Sequence, residues 1–360
     1  SAIKLVYHLN YHCGKYVIIE SELKILKKMK PKIAFFDTKS YDKAFFLEKN
    51  QQYGFEIKFY KSHLNKDNAI LTKGFDVVCI FVNAEVDAEV IDILVENGIK
   101  LIALRCAGYN NVDLKAAKNR IKVVRVPAYS PHSIAEYTLA LILTLNRKIH
   151  RAYNRTREGN FALEGLIGFE MNGKTAGIIG TGKIGKIVAQ ILKSMGMNVL
   201  VYDLYPDTEF AEKNGIQYTS LDELYRNSDI ISLHCPLTKE TEYLINKDSI
   251  DKMKEGVMII NTGRGKLINT KDLIEGLKDK KVGCAGLDVY EEEGDYFYED
   301  YSNIVIDDDI LARLLIFNNV IVTSHQAFFT KEALSEIARI TLQNIQDFFD
   351  GKPLVNEVSA

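Results

Sequence analysis

Tryptophan is absent from this chain, cysteine and proline are scarce, and neither sign of charge is in excess. The 46 Lys+Arg and 48 Asp+Glu leave a formal net charge of −2, so no basic surplus is there to hold a nucleic acid or an acidic membrane. No apolar run approaches the roughly 20 residues of a bilayer span; the longest beside a helical pattern, residues 137–145, is far too short. The five cysteines (Cys13, Cys79, Cys106, Cys235, Cys284) are scattered, odd in number and without a C-x-x-C pair. That argues against a disulfide frame or a zinc site and for reduced thiols in a cytoplasmic protein without a metal. Neither a short-period repeat nor a low-complexity segment is visible. Residues 1–31 carry two histidines and a basic run at 24–30, but no apolar core with a small-residue cleavage site, so a secretory signal is not expected. They are read as an N-terminal extension of unknown role.

What is present fits an ordinary globular protein of two domains: 360 residues, 47% hydrophobic and 26% charged. Short apolar runs at 33–36, 55–59, 77–82, 101–104 and 123–126 read as strands, with helical patterns such as 86–97 and 114–119 between them. A long amphipathic stretch follows at 134–157, with Ser133 as its expected N-cap. The alternation then resumes with strands at 175–179, 198–202, 230–233, 257–260, 284–287 and 320–323, and closes on an amphipathic helix at 331–349. Strands alternating with helices predict parallel sheets with helices on both faces. The fold class expected is therefore α/β, two doubly wound parallel-sheet domains joined by a long hinge helix.

The second series opens on Gly180-Thr-Gly182-Lys183-Ile184-Gly185, a G-x-G-x-x-G set between two apolar strands. Gly180 allows a sharp turn, Gly182 lets backbone approach a pyrophosphate, and Gly185 lets the helix pack on the strand. The helix N-terminus offers free N–H groups and partial positive charge to phosphates. Asp203 ends the next strand, where a carboxylate accepts from both ribose hydroxyls. The cofactor expected is NAD rather than NADP.

Three later strands end in chemistry. One runs into Asn261-Thr-Gly-Arg264, one into Asp288-Val-Tyr-Glu-Glu-Glu293, and one into Ser324-His325. Ligands of open α/β sheets sit at that edge. An arginine fork matches a carboxylate, a histidine moves protons near neutral pH, and a glutamate beside it would hold the tautomer and favour the imidazolium. Taken singly, His325 could be a core histidine and Arg264 half of an ion pair. Charge pattern alone does not choose among Glu291, Glu292 and Glu293.

Several long stretches, in order, resemble the D-isomer-specific 2-hydroxyacid dehydrogenases, and within them the bacterial fermentative D-lactate dehydrogenases. They are Phe81-Val-Asn83, Arg105-Cys-Ala-Gly-Tyr-Asn-Asn-Val-Asp113, Val126-Pro-Ala-Tyr-Ser130, the glycine segment 173–185, Ser232-Leu-His-Cys-Pro-Leu-Thr238 and His325-Gln-Ala-Phe328. The resemblance implies a flavodoxin-like substrate domain (32–130 and 328–360) and a Rossmann NAD-binding domain (131–327). It implies Arg264 as catalytic arginine, Glu293 as the acid and His325 as proton donor. Asp288 would hold the nicotinamide amide. Lys183 and Ile184 match the pyrophosphate turn, Cys235, Pro236 and Thr241 the adenosine side, and Thr262 and Gly263 the nicotinamide side, where Gly263 replaces a commoner serine. Backbone N–H groups at Ala107 and Gly108 would grip the substrate carboxylate, and Tyr129 and Phe328 would line a small pocket. The reaction implied is NADH-dependent reduction of pyruvate to D-lactate by a homodimer or homotetramer. Rival readings are a relative acting on a longer or branched 2-oxo acid, and a NAD-sensing corepressor-like protein.

Overall fold

The computed structural model describes residues 30–360; the N-terminal extension expected over 1–31 lies outside them but for its last two residues. The chain forms two units. One takes in the residues up to Arg125 and Thr341–Ala360, the other Val126–Ile340.

The first unit is a five-stranded parallel sheet of β1 (Lys32–Phe35), β2 (Glu56–Phe59), β3 (Val77–Ile80), β4 (Leu101–Leu104) and β5 (Lys122–Val124), in the order β2-β1-β3-β4-β5. Central β3 and β4 are buried along their whole length and read as unbroken apolar runs, as strands covered on both faces must. Edge strand β2 alternates exposed and half-buried positions. The C-terminal tail returns to this sheet: the Val358 N–H donates to Val123 O at 2.9 Å and the Arg125 N–H to Asn356 O at 3.1 Å.

The second unit is a seven-stranded parallel sheet of β6 (Thr175–Ile179), β7 (Asn198–Tyr202), β8 (Gln217–Tyr218), β9 (Ile230–Leu233), β10 (Val257–Asn261), β11 (Val282–Leu287) and β12 (Val320–Val322). Its order is β12-β11-β10-β9-β6-β7-β8. Only β8, a two-residue polar edge, had no apolar run to announce it. Neighbouring residues of β6 serve opposite faces: Ile178 lies in one apolar cluster with Val188, Leu192 and Val201, and Ile179 in another with Leu233, Ile259 and Leu273. Each such side chain is worth about 1.5–3 kcal/mol of burial. In both sheets the strand order reverses once, between β1 and β3 and between β6 and β9, and such switch points are where doubly wound sheets hold ligands.

The long amphipathic stretch ends at Arg157 as expected but differs at its start and in its middle. The helix runs Pro131–Arg147, and its N-cap is Ser130, not Ser133. Pro131 explains this: at the first helical position its missing N–H costs nothing and its φ is already set. Ser133 is buried instead, with its Oγ 2.7 Å from Thr330 Oγ1. The stretch then breaks at Lys148, at φ 49, and a second helix runs Ile149–Arg157. The first helix lays Leu141, Ile142 and Leu145 into the cluster of Ile178. It passes so close to β11 that a Cβ at Gly286 would lie 3.0 Å from Leu145.

Candidate active site

At the switch point of the second sheet, β6 leads into the glycine turn. Gly180 has φ 95, and a Cβ there would stand 2.5 Å from the backbone N of Cys235, on the strand-end loop across the crevice. A Cβ at Gly185 would fall 1.9 Å from Gly180 O, so the helix Lys183–Ser194 packs where only glycine fits. Gly182, the N-cap of that helix, faces open space. The opening lies where a pyrophosphate would take the N–H groups of Lys183 and Ile184, and the residues fit a dinucleotide.

Asp203 follows β7. Its Oδ2 accepts from the Thr181 N–H at 2.6 Å and the Thr181 hydroxyl at 3.0 Å, and its Oδ1 from the Tyr205 N–H at 2.9 Å. Burial pushes its pKa up, but the donated hydrogen bonds outweigh burial and hold it below the ordinary aspartate value. One carboxylate thus fastens the glycine turn to β7. Beyond β9 come Cys235 and Pro236. The Thr241 hydroxyl donates to Pro236 O at 2.7 Å, closing that loop. Burial raises the Cys235 thiol to about 11, and Cys79, Cys106 and Cys284 are likewise free thiols.

Arg264, Asp288 and His325 follow three adjacent strands, β10, β11 and β12. Asn261, buried, folds the turn after β10: its Oδ1 accepts from the Gly263 N–H at 3.0 Å and its Nδ2 donates to Arg264 O at 2.9 Å. Gly265 presses on the next loop, since a Cβ would come 2.0 Å from Tyr290 O. The Arg264 side chain is exposed, with one guanidinium N–H on Gly263 O at 2.8 Å. Thr262 is buried, its hydroxyl 3.0 Å from that of Thr138 on the helix Pro131–Arg147.

His325 Nδ1 lies 2.8 Å from Glu293 Oε1. A carboxylate oxygen accepts, so Nδ1 carries the proton and donates it, and Nε2 is the nitrogen left for a reacting group. Of the other two glutamates, Glu291 accepts from the Tyr243 hydroxyl at 2.9 Å and the Thr270 N–H at 2.7 Å, and Glu292 is exposed.

Asp288 is fully buried and has a part in the site that its sequence position did not announce. Its Oδ1 accepts from the Thr323 hydroxyl at 2.6 Å and the Gln326 N–H at 2.9 Å, and its Oδ2 from the Ala327 N–H at 2.7 Å. Its carbonyl takes the His325 N–H at 2.7 Å. Asp288 therefore anchors the histidine loop. Burial is the larger influence and raises its pKa in spite of these donors. Tyr129 and Phe328 meet edge to face, ring centroids 5.9 Å apart. In the first unit, Ala107 and Gly108 follow β4, and Arg125 grips Ala107 O at 2.7 Å. Thr181, Asn261, Thr323 and Arg125 were missed by sequence reasoning. Thr181 was legible as the first variable residue of the glycine motif; the others carry no local signal.

Residues 139–327 match the family model of the D-isomer specific 2-hydroxyacid dehydrogenase NAD-binding domain. The chain is 51% identical over 328 residues to a D-lactate dehydrogenase of Escherichia coli, covering 91% of this chain and 99% of that protein. Among solved structures it is similar to the pyruvate reductase of Chlamydomonas reinhardtii (TM-score 0.87, 46% identity, 91% of this chain and 98% of that one). It is also similar to the D-lactate dehydrogenase of Lactobacillus jensenii solved with NAD+ (TM-score 0.78, 35% identity, 91% and 100%).

Proposed function

This chain belongs to the D-isomer-specific 2-hydroxyacid dehydrogenase family, is an NAD-dependent oxidoreductase of that family, and we propose that its reaction is the reduction of pyruvate to D-lactate. The observation that carries this reading is the 2.8 Å pair of His325 Nδ1 and Glu293 Oε1 beside the strand end of Arg264.

The nicotinamide, when bound, supplies the hydride for the keto carbon. The protein's residues do the rest. Arg264, exposed and bonded to its neighbour's carbonyl, offers its fork to the substrate carboxylate and stabilises the alkoxide charge that develops. His325 gives the proton from Nε2 while Glu293 holds Nδ1 and with it the orientation of the ring. Asp203 receives the ribose hydroxyls, and Gly182 with Lys183 and Ile184 the pyrophosphate. Cys235, Pro236 and Thr241 line the adenosine side, and Thr262, Gly263 and Asp288 the nicotinamide side. Ala107 and Gly108 keep the role of amide donors to a carboxylate. Tyr129 and Phe328, bulky and in mutual contact, crowd the side-chain end of the pocket and favour a small 2-oxo acid. NADH oxidation against a panel of 2-oxo acids tests the reading: pyruvate turns over fastest, and faster turnover of a branched acid refutes the lactate assignment.

The same reading makes the protein a cytoplasmic homo-oligomer. Among the described residues no helix is long and apolar enough to cross a membrane, and the described cysteines are free. The stretch 149–169 leaves Phe161, Leu163 and Ile167 largely in solvent (76%, 80% and 85% exposed), an apolar arm suited to a second copy of the chain. Light scattering on the purified protein checks it; a monomer at micromolar concentration contradicts it.

A further inference from the structure

We propose that Tyr298 is a positioning residue for His325, holding the proton donor by its backbone carbonyl; the inference rests on the reading of His325 given above.

His325 sits at φ 49, in the left-handed region that residues with a Cβ seldom adopt, so its conformation must be held from outside. Its N–H donates to Asp288 O at 2.7 Å, and its Nδ1 is engaged by Glu293. The remaining backbone group, its carbonyl, accepts from the Tyr298 hydroxyl at 3.1 Å. The Tyr298 ring also lies beside the imidazole, with centroids 6.3 Å apart and planes inclined by 29°. The near-parallel aromatic face lies alongside the imidazole, on one side of it.

Glu293 and Tyr298 belong to one short stretch. The Tyr296 and Phe297 N–H groups both donate to Glu293 O, at 3.1 and 2.8 Å, and Phe297 is buried among Leu287, Tyr290 and Leu311. The turn pinned by Phe297 thus presents a carboxylate to the ring nitrogen and a phenol to the carbonyl of one residue. Tyr298 is itself at φ 72, a second uncommon conformation in the same clasp. The arrangement requires tyrosine: phenylalanine would keep the ring and lose the hold on the carbonyl. A displacement of about 1 Å in a reacting group costs up to roughly a hundredfold in rate, so a clasp on both ends of the residue matters to turnover.

The test compares Tyr298→Phe and Tyr298→Leu with the native enzyme and with His325→Gln, using NADH and pyruvate. Tyr298→Phe should lower kcat about three- to tenfold, the range for one lost hydrogen bond. Pyruvate KM and the NADH dissociation constant, read by fluorescence titration, should stay within about twofold, and Tm within about 2 °C. The primary isotope effect on kcat with C4-deuterated NADH should rise in Tyr298→Phe, because a misplaced donor slows the chemical step. Tyr298→Leu should lose more of kcat with the same NADH affinity. Native kcat in Tyr298→Phe overturns the inference. So does a fall in kcat that tracks lost Tm and NADH affinity with an unchanged isotope effect. If His325→Gln keeps native turnover, the reading of His325 itself fails and takes this one with it.

Discussion

Glu293 Oε1 stands 2.8 Å from His325 Nδ1, while Glu291, two residues earlier, faces the Tyr243 hydroxyl and the Thr270 N–H. Three consecutive glutamates are thereby given three different environments. Removing a positioned general acid costs about 10²–10⁴-fold, so His325→Gln should lose that much kcat and still bind NADH. Glu293→Gln should lose about tenfold or more through the same imidazole, and Glu292→Gln about nothing. Glu291→Ala should keep kcat and lower stability by roughly 1–2 kcal/mol, as two donors lose their acceptor. Steady-state kinetics with thermal denaturation of the three glutamate variants separates them; a kinetic defect confined to Glu291→Ala would reassign the acid.

Asp203 puts a carboxylate where a 2′-phosphate would lie, and its neighbour Leu204 offers no positive partner. NADH should be strongly preferred over NADPH. Asp203→Ala should narrow the ratio of the two kcat/KM values. It should also weaken NADH itself, because Oδ2 holds the Thr181 end of the glycine turn. Equal efficiency with both cofactors in the native enzyme would contradict the assignment.

Arg264→Lys should raise the pyruvate KM sharply, since a point charge cannot reproduce a bidentate fork. Its side chain is exposed and, among the described residues, bonded to its neighbour's carbonyl, so Tm should not move. A variant with native KM would remove Arg264 from the substrate site.

Tyr129 and Phe328 should favour pyruvate over 2-oxoisocaproate, though modestly, because a methylene in such a pocket discriminates by about 1–3 kcal/mol. Phe328→Ala should shift the ratio of kcat/KM toward the branched acid. An unchanged ratio would place the side-chain end of the pocket elsewhere.

His234 gives the pH dependence. Burial lowers its pKa from 6.5 to about 4, and its Nε2 lies 2.8 Å from Ser232 Oγ. The folded chain keeps the ring neutral where the unfolded chain protonates it. Its contribution to stability is therefore complete above pH 6.5 and is lost as pH falls from 6.5 toward 4. The loss is at most of order 3 kcal/mol. Denaturant midpoints of native and His234→Gln protein, taken at pH 7, 5.5 and 4.5, should converge as the pH drops. A constant gap would show that His234 does not titrate in this window.

The strands and the glycine turn are legible in the sequence because their signals are local. β3 and β4 are unbroken apolar runs, as a strand covered on both faces requires, and Gly180 and Gly185 stand where a Cβ would strike backbone. The strand ends carrying Arg264, Asp288 and His325 follow from the same periodicity. Which glutamate meets His325 does not, since a run of like charges has no internal order; β11 and the turn pinned by Phe297 chose Glu293. That Asp288 anchors the histidine loop, that Ser133 turns inward and leaves the helix cap to Ser130, and that Tyr298 closes on the His325 carbonyl are also tertiary facts. Each joins residues through partners on other elements, and no spacing along one chain encodes where a distant donor will stand.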